Sequence, residues 1–415
     1  MRKINLLLST LLVGAMAAFG PMAFAANYIV GIGDDCRSTS VCFGPDVLII
    51  QVGDSVTFYT YAEIVFTGPH NVVADDGSFR CARGCDGEGG DGTPRGANGT
   101  PTGGWSFTRT FNTAGNVAYH DEVTQVRGTI IVTADPVDLN QHGLTGSWYN
   151  PATQGQGVEI EVFPNLIAPG TSLIQGAWFT FPFNDTQVGG ADTQRWYTFS
   201  GNGQSGSFNV SVAIYQNSGG DFAASPPTAP KQVGHGTLTF ADCNTATLAY
   251  EFDNEGLGWI ALTRLTKNIT CAIGSTKLTN ADFSLSGNWY KPSMSGQGFV
   301  FDVNPLSRAF VLAWYTYAPR GQLALGPRQR WFTGLANYVS GTRTVTLELY
   351  ETTGGLLDRV TNPAPSSLLV GNATVAFASC TSAQLTYAFT GGSNNGASGN
   401  IALSRIGPVP PGCVP

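Results

Sequence analysis

Eight cysteines, four histidines and four methionines are the chemically most distinctive side chains in this 415-residue chain. The cysteines are Cys36, Cys42, Cys81, Cys85, Cys243, Cys271, Cys380 and Cys413. An even count suits four disulfides in a chain that enters an oxidising compartment. Cys81 and Cys85 could instead share a metal, but no second pair lies near them in sequence, so a disulfide role is expected. The segment from Asp75 to Gly104 is glycine-rich and carries Asp75, Asp76, Asp86, Glu88 and Asp91. Hard oxygen ligands of this kind can collect Ca²⁺. Their spacing fits no calcium-loop pattern, so the expected reading is a solvated loop pinned at its base by Cys81 and Cys85. No nucleophile–base pair, phosphate loop or zinc motif occurs, and no enzyme activity is expected.

The first residues set the compartment. Arg2 and Lys3 precede a short apolar run from Leu6 to Phe19, and Ala23-Phe24-Ala25 offers a small-residue cleavage site. That is the pattern of a signal peptide over residues 1–25. The apolar run is too short to span a bilayer comfortably. The chain is therefore expected to be exported, to the periplasm or beyond, with no membrane span after cleavage. Net charge is −7 with no basic stretch, which argues against nucleic acid as a partner.

Short strands must position these groups. Gly (53) and Pro (23) are abundant, charged residues make up only 12%, and no long segment after the leader has helical periodicity, so the mature chain reads as all-β. The apolar run Val47–Val52 leads through a Gly53-Asp54 turn into the alternating Ser55–Phe58. Further on, Leu144-Thr145-Gly146-Ser147-Trp148-Tyr149-Asn150-Pro151 recurs as Leu285-Ser286-Gly287-Asn288-Trp289-Tyr290-Lys291-Pro292. Gly155-Gln156-Gly157 recurs as Gly296-Gln297-Gly298, and Gln194-Arg195-Trp196 as Gln329-Arg330-Trp331. Order is kept from end to end, so a whole module is duplicated. Each copy reads as about eight strands; Val210, Val212 and Ile214 alternate with polar or small neighbours, as on a half-buried strand. An antiparallel meander, closed as a barrel or folded as a sandwich, is predicted.

Matching ends of the two copies predict the disulfides Cys243–Cys271 and Cys380–Cys413. The pairing of Cys36, Cys42, Cys81 and Cys85 stays open, with Cys36–Cys42 and Cys81–Cys85 as the nearest choices. Trp148/Trp289, Trp178/Trp314 and Trp196/Trp331 are expected in the module cores, with Arg195 and Arg330 paired to Glu161 and Asp302. Exposed aromatics beside Gln and Arg would instead stack on a protein or carbohydrate ligand. His142 and His235 have no counterpart in the second copy and are expected at the surface. The opening Gly-x-Trp-Tyr-x-Pro…Gly-Gln-Gly is similar to repeats of exported bacterial proteins of undefined function.

The segment before the repeats carries a second resemblance. Ala114-Gly115-Asn116-Val117-Ala118-Tyr119-His120-Asp121-Glu122-Val123-Thr124-Gln125-Val126-Arg127-Gly128 and Pro69-His70-Asn71-Val72-Val73 resemble the closing strand and first-ligand segment of blue-copper proteins of the plastocyanin and amicyanin type, over roughly residues 27–134. The resemblance implies a Greek-key sandwich, copper as cofactor, and electron transfer. Its first histidine ligand falls on His70. Its cysteine falls on Asp121, its second histidine on Thr124 and its methionine on Val126. The ligand set is thus degenerate, leaving His70 and Asp121 as metal candidates. His120 precedes Asp121 on a strand and points to the opposite face, so it joins only if the register shifts by one residue.

The predicted organisation is a leader (1–25), a cupredoxin-like domain (26–134), a linker (135–143), a first β-module (144–271), a second linker (272–284) and a second β-module (285–415). Two functions compete. One is copper binding or electron transfer by the first domain. The other is a non-catalytic binding or surface-interaction protein on a metal-free scaffold.

Overall fold

The computed structural model describes residues 25–33, 41–60, 70–82, 104–134, 137–184, 190–224, 228–254, 256–267, 281–294, 296–324, 326–410 and 412–413. The predicted leader, the acidic residues Asp86, Glu88 and Asp91, and Cys36, Cys85 and Cys271 lie outside the described residues. The fold is all-β, as predicted: a two-sheet sandwich followed by two closed eight-stranded barrels.

The sandwich takes β1 (Asn27–Gly33), β2 (Cys42–Gly44), β3 (Val47–Gln51), β4 (Ser55–Thr60), β5 (Val72–Ala74), β6 (Arg80–Cys81), β7 (Trp105–Thr110), β8 (Gly115–His120) and β9 (Arg127–Thr133). One sheet runs β2-β1-β4-β7 and the other β3-β9-β8-β5-β6, with β1/β4 and β3/β9 parallel. Alternation in Ser55–Thr60 sends Val56 and Phe58 inward, where Phe58 meets Phe107 and Tyr119. Tyr119 needs Gly128 opposite it, because a Cβ there would sit 2.3 Å from the ring. Ile49 and Ile131 on the outer face pack against Phe208 and Ala241 of the first barrel.

The first barrel is the meander β10 (Gly146–Tyr149), β11 (Gly157–Ala168), β12 (Thr171–Thr180), β13 (Arg195–Gln204), β14 (Asn209–Ser218), β15 (Ala229–Phe240), β16 (Thr245–Phe252) and β17 (Gly256–Arg264). The second repeats it as β18 (Gly287–Tyr290), β19 (Gly298–Asn304), β20 (Ala309–Tyr317), β21 (Gln329–Asn337), β22 (Thr344–Thr353), β23 (Ser366–Phe377), β24 (Ser382–Phe389) and β25 (Ser398–Arg405). In both, the first strand pairs with the last, so no sheet edge is left open by the strand order. Side chains fill the interiors: Trp148 and Trp178 with Phe240 and Tyr250 in one, Trp289 and Trp314 with Phe377 and Tyr387 in the other.

Cys380 and Cys413 form a disulfide, as the repeat predicts. Cys42, Cys81 and Cys243 are also disulfide-bonded. The Cys380–Cys413 link spans 33 residues. On the chain-entropy account it stabilises the second barrel by roughly 3–4 kcal/mol. Cys380→Ser with Cys413→Ser should lower the barrel's unfolding free energy, extrapolated from urea, by that amount; an unchanged free energy would show the link to be energetically idle.

Candidate functional site

The strand pairing that brings the sandwich candidates together is β5 against β8, with Val73 opposite His120. His70 precedes β5 and Asp121 follows β8, so the two side chains meet at one end of the sheet. A tight loop holds Asp121: its N–H donates to Val126 O at 3.0 Å, and Gln125 N–H, in the left-handed region at φ 63°, donates back to Asp121 O at 2.9 Å.

The Asp121 carboxylate is fully buried and surrounded by donors. Oδ2 lies 2.9 Å from His70 Nδ1, 2.6 Å from Thr124 Oγ1 and 3.1 Å from Thr124 N. Oδ1 accepts from Asn71 N at 3.0 Å and Val123 N at 3.3 Å. Burial raises this carboxyl's pKa, but His70, Thr124 and Asn71 outweigh it, and the net direction is downward from the usual carboxylate value. His70 is also buried, and its Nε2 has no hydrogen-bond partner among the described residues. The tautomer with the proton on Nδ1 fits both facts: it donates to Asp121 and leaves Nε2 a bare lone pair, which is less costly to bury than an N–H. A second layer fixes the first. Glu122 N–H donates to Asn71 Oδ1, Asn71 Nδ2 donates to Glu122, and Arg80 pairs with the same carboxylate at 2.6 Å.

His120 is turned to the other side. Its Nδ1 is 2.5 Å from Asp75, which also pairs with Arg127 at 2.6 Å. Val126 packs against the sandwich core. Asp76 accepts from Ser78 N. Among the described residues no group of three or more His, Cys, Asp or Glu is placed to hold a metal.

A type 1 copper centre needs a thiolate, two imidazoles and a weak axial sulfur or oxygen. The residues at these positions do not fit it. In the register that the sequence resemblance gives, Asp121 stands at the thiolate position, Thr124 at the second imidazole and Val126 at the axial group. Asp121 is already saturated by protein donors, and the His70 nitrogen facing it is engaged with the carboxylate rather than free to ligate.

In the barrels the repeated residues form a seam, which corrects three expectations. Trp196 and Trp331 do not lie in their own barrel cores. Each crosses to the other barrel: Trp196 Nε1 donates to Thr316 O at 2.9 Å and Trp331 Nε1 to Thr180 O at 3.3 Å. Gln194 and Gln329 do the same, each bonding both N and O of the opposite tryptophan. Nor do Arg195 and Arg330 pair with Glu161 and Asp302. Arg195 donates to Asp192 O and Gln194 O, and Arg330 pairs with Asp192 at 2.6 Å. The partner of Glu161 is Arg405, at 2.7 Å and fully buried; Asp302 accepts from Ser147 N and Thr266 Oγ1, with Arg264 as its nearest cation. Third, His142 is buried. It contacts Phe283 across the seam, and burial together with Arg405 and Arg264 lowers its pKa to about 3. His235 is exposed, 3.4 Å from Glu251.

The glycine of each Gly-x-Trp opening now has a reason. Gly146 and Gly287 are left-handed, and a Cβ on Gly287 would stand 2.0 Å from Glu161 Oε1. The two arginines stack on the motif tryptophans, Arg264 on Trp148 at 5.2 Å and Arg405 on Trp289 at 5.7 Å. Their recurrence at Thr263-Arg264-Leu265 and Ser404-Arg405-Ile406 was the signal in the sequence that could have identified them. All six motif tryptophans are buried, and two of them, Trp148 and Trp331, edge a cavity between the barrels.

No helix among the described residues is long and apolar enough to cross a membrane. No protein-family model and no curated protein matches the chain. Among solved structures, a copper(I) form of an amicyanin variant is similar at 18% identity, over 26% of this chain and 81% of that one, with a TM-score of 0.17. Pseudoazurin from Methylobacterium extorquens AM1 is similar at 16% identity, over 26% of this chain and 74% of that one, also at 0.17. At such identities and scores the likeness concerns the sandwich fold and carries nothing about the site.

Proposed function

We propose that this chain is an exported, non-catalytic binding protein. Its cupredoxin-like sandwich serves as a metal-free scaffold, and its two barrels form one rigid body for ligand recognition. The observation that carries this reading is the Asp121 carboxylate, buried where the resemblance expects a thiolate and already accepting from His70, Asn71, Val123 and Thr124. Electron transfer has no support in that donor set, because no sulfur ligand remains to tune a copper couple. With Nδ1 held by Asp121, the one His70 nitrogen left to a metal is the buried Nε2. Export is supported by the leader pattern and by the oxidised state of Cys42, Cys81, Cys243, Cys380 and Cys413.

The test is metal content. Protein purified without a histidine tag from copper-supplemented cells should carry only traces of copper and show no reversible redox couple. One copper per chain would overturn the reading and return the sandwich to metal chemistry.

A further inference from the structure

The two barrels face each other with near-twofold symmetry, and that symmetry breaks at Glu159. The matching position on β19 is Val300. Beside Glu159, between the barrels, lies a cavity of about 300 Å³ walled by Phe179, Val311 and Trp331, with the exposed Leu265 and Leu335 at its outer edge. That volume is at the lower end for small-molecule sites, about 300–1,000 Å³.

Charge is asymmetric at the same place. On one side of the seam Glu161 faces Arg405 one to one. On the other, the single guanidinium of Arg264 faces two carboxyl groups, Glu159 and Asp302. Arg264 spends hydrogen bonds on the carbonyls of Gly143 and Thr145, and neither carboxyl receives one from it among the described residues. Glu159 accepts from Ser147 Oγ at 2.9 Å and is otherwise set against the apolar cavity wall. Burial and the neighbouring Asp302 push its carboxyl well above the usual range. Glu159 thus lacks a counter-charge of its own, since the one guanidinium of Arg264 is shared with Asp302. A cation delivered into the cavity would supply it, and the aromatic walls suit an apolar body behind that cation.

We propose that this cavity binds a small primary amine bearing an aromatic or branched apolar group, with its ammonium on Glu159 and its apolar part against Phe179, Val311 and Trp331. The proposal rests on the reading of the chain as a binding protein and concerns the barrels alone. The copper measurements on the sandwich neither support nor undermine it.

The test is equilibrium binding to the full chain, by calorimetry, of phenethylamine and of phenethyl alcohol, its neutral counterpart. The amine should bind, and the alcohol at least about tenfold more weakly, as expected for loss of one charge-assisted contact. Glu159→Val copies the residue that the second barrel already carries, and Glu159→Gln keeps the shape. Both should fold and lose at least about tenfold in amine affinity, roughly one such contact. If one variant fails to fold, the other decides. Absence of amine binding to the native chain, equal binding of amine and alcohol, or unchanged amine affinity in a folded variant would each overturn the proposal. A copper-free sandwich beside a barrel pair that ignores amines would remove this proposal and leave the metal-free reading intact.

Discussion

Asp121→Ala should destabilise the sandwich by on the order of 4 kcal/mol, enough to expose β5 and β8 to exchange while the barrels stay protected. Five donor contacts converge on this carboxylate. The Thr124 and Val123 groups are partly exposed and can turn to water, but His70 and Asn71 are buried and cannot. Each buried donor left without an acceptor costs about 1–3 kcal/mol. Asp121→Asn should cost less, since it keeps one acceptor oxygen and its amide can meet the other His70 tautomer.

Acid gives an independent reading of the same group. The folded pKa of Asp121 is lowered, so its contribution is present above the unfolded carboxylate value of 3.8 and is lost as pH falls through the lower folded value. The native sandwich should therefore lose stability as pH falls from 3.8 through the folded value, and Asp121→Asn should flatten this part of the profile. Hydrogen exchange of β5 and β8 across the acid range checks both. A variant with native protection would mean that the network is ornamental.

Glu161→Ala should weaken the barrel pair by about 3–5 kcal/mol, because it leaves the Arg405 guanidinium buried without its carboxylate. It also removes the acceptor used by Asn288 N and Nδ2. Burial pushes Glu161 up to about 7, against the pull of Arg405 and Asn288. The pair is thus a locking device more than a net source of stability. Glu161→Leu combined with Arg405→Met should accordingly cost less than Glu161→Ala alone, since an apolar pair needs no compensation. Calorimetric unfolding of the three variants decides the matter. A double variant worse than the single would show that the ion pair itself stabilises the seam.

The sequence made the strands easy to find and the seam hard. Val210, Val212 and Ile214 alternate visibly, and the structure buries them inside β14. The duplicated motifs likewise mark two barrels with the same strand order. In contrast, Glu161 and Arg405 are 244 residues apart, and no local spacing links them. Trp196 and Trp178 look alike in sequence, but one fills the seam and the other a barrel interior; only the packing of two modules separates these roles. A lone polar residue in a linker carries no periodic signal, so the sequence does not disclose the burial of His142, which packs beside Phe283 of the other module. In the sandwich, the resemblance placed His70 and Asp121 at one site. It could not say that the carboxylate would be filled by its own loop, which depends on the backbone path from Asp121 to Val126.

Titrating Cu(II) into the untagged chain while recording its visible absorption addresses the metal-free sandwich most directly. Cys81 is tied up in a disulfide, and Asp121 stands where the resemblance expects the thiolate. No intense thiolate-to-copper band should appear, and any weak d–d absorption should vanish in His70→Ala and persist in His120→Ala. A strong blue colour at one copper per chain would contradict the account and make electron transfer the function of the first domain.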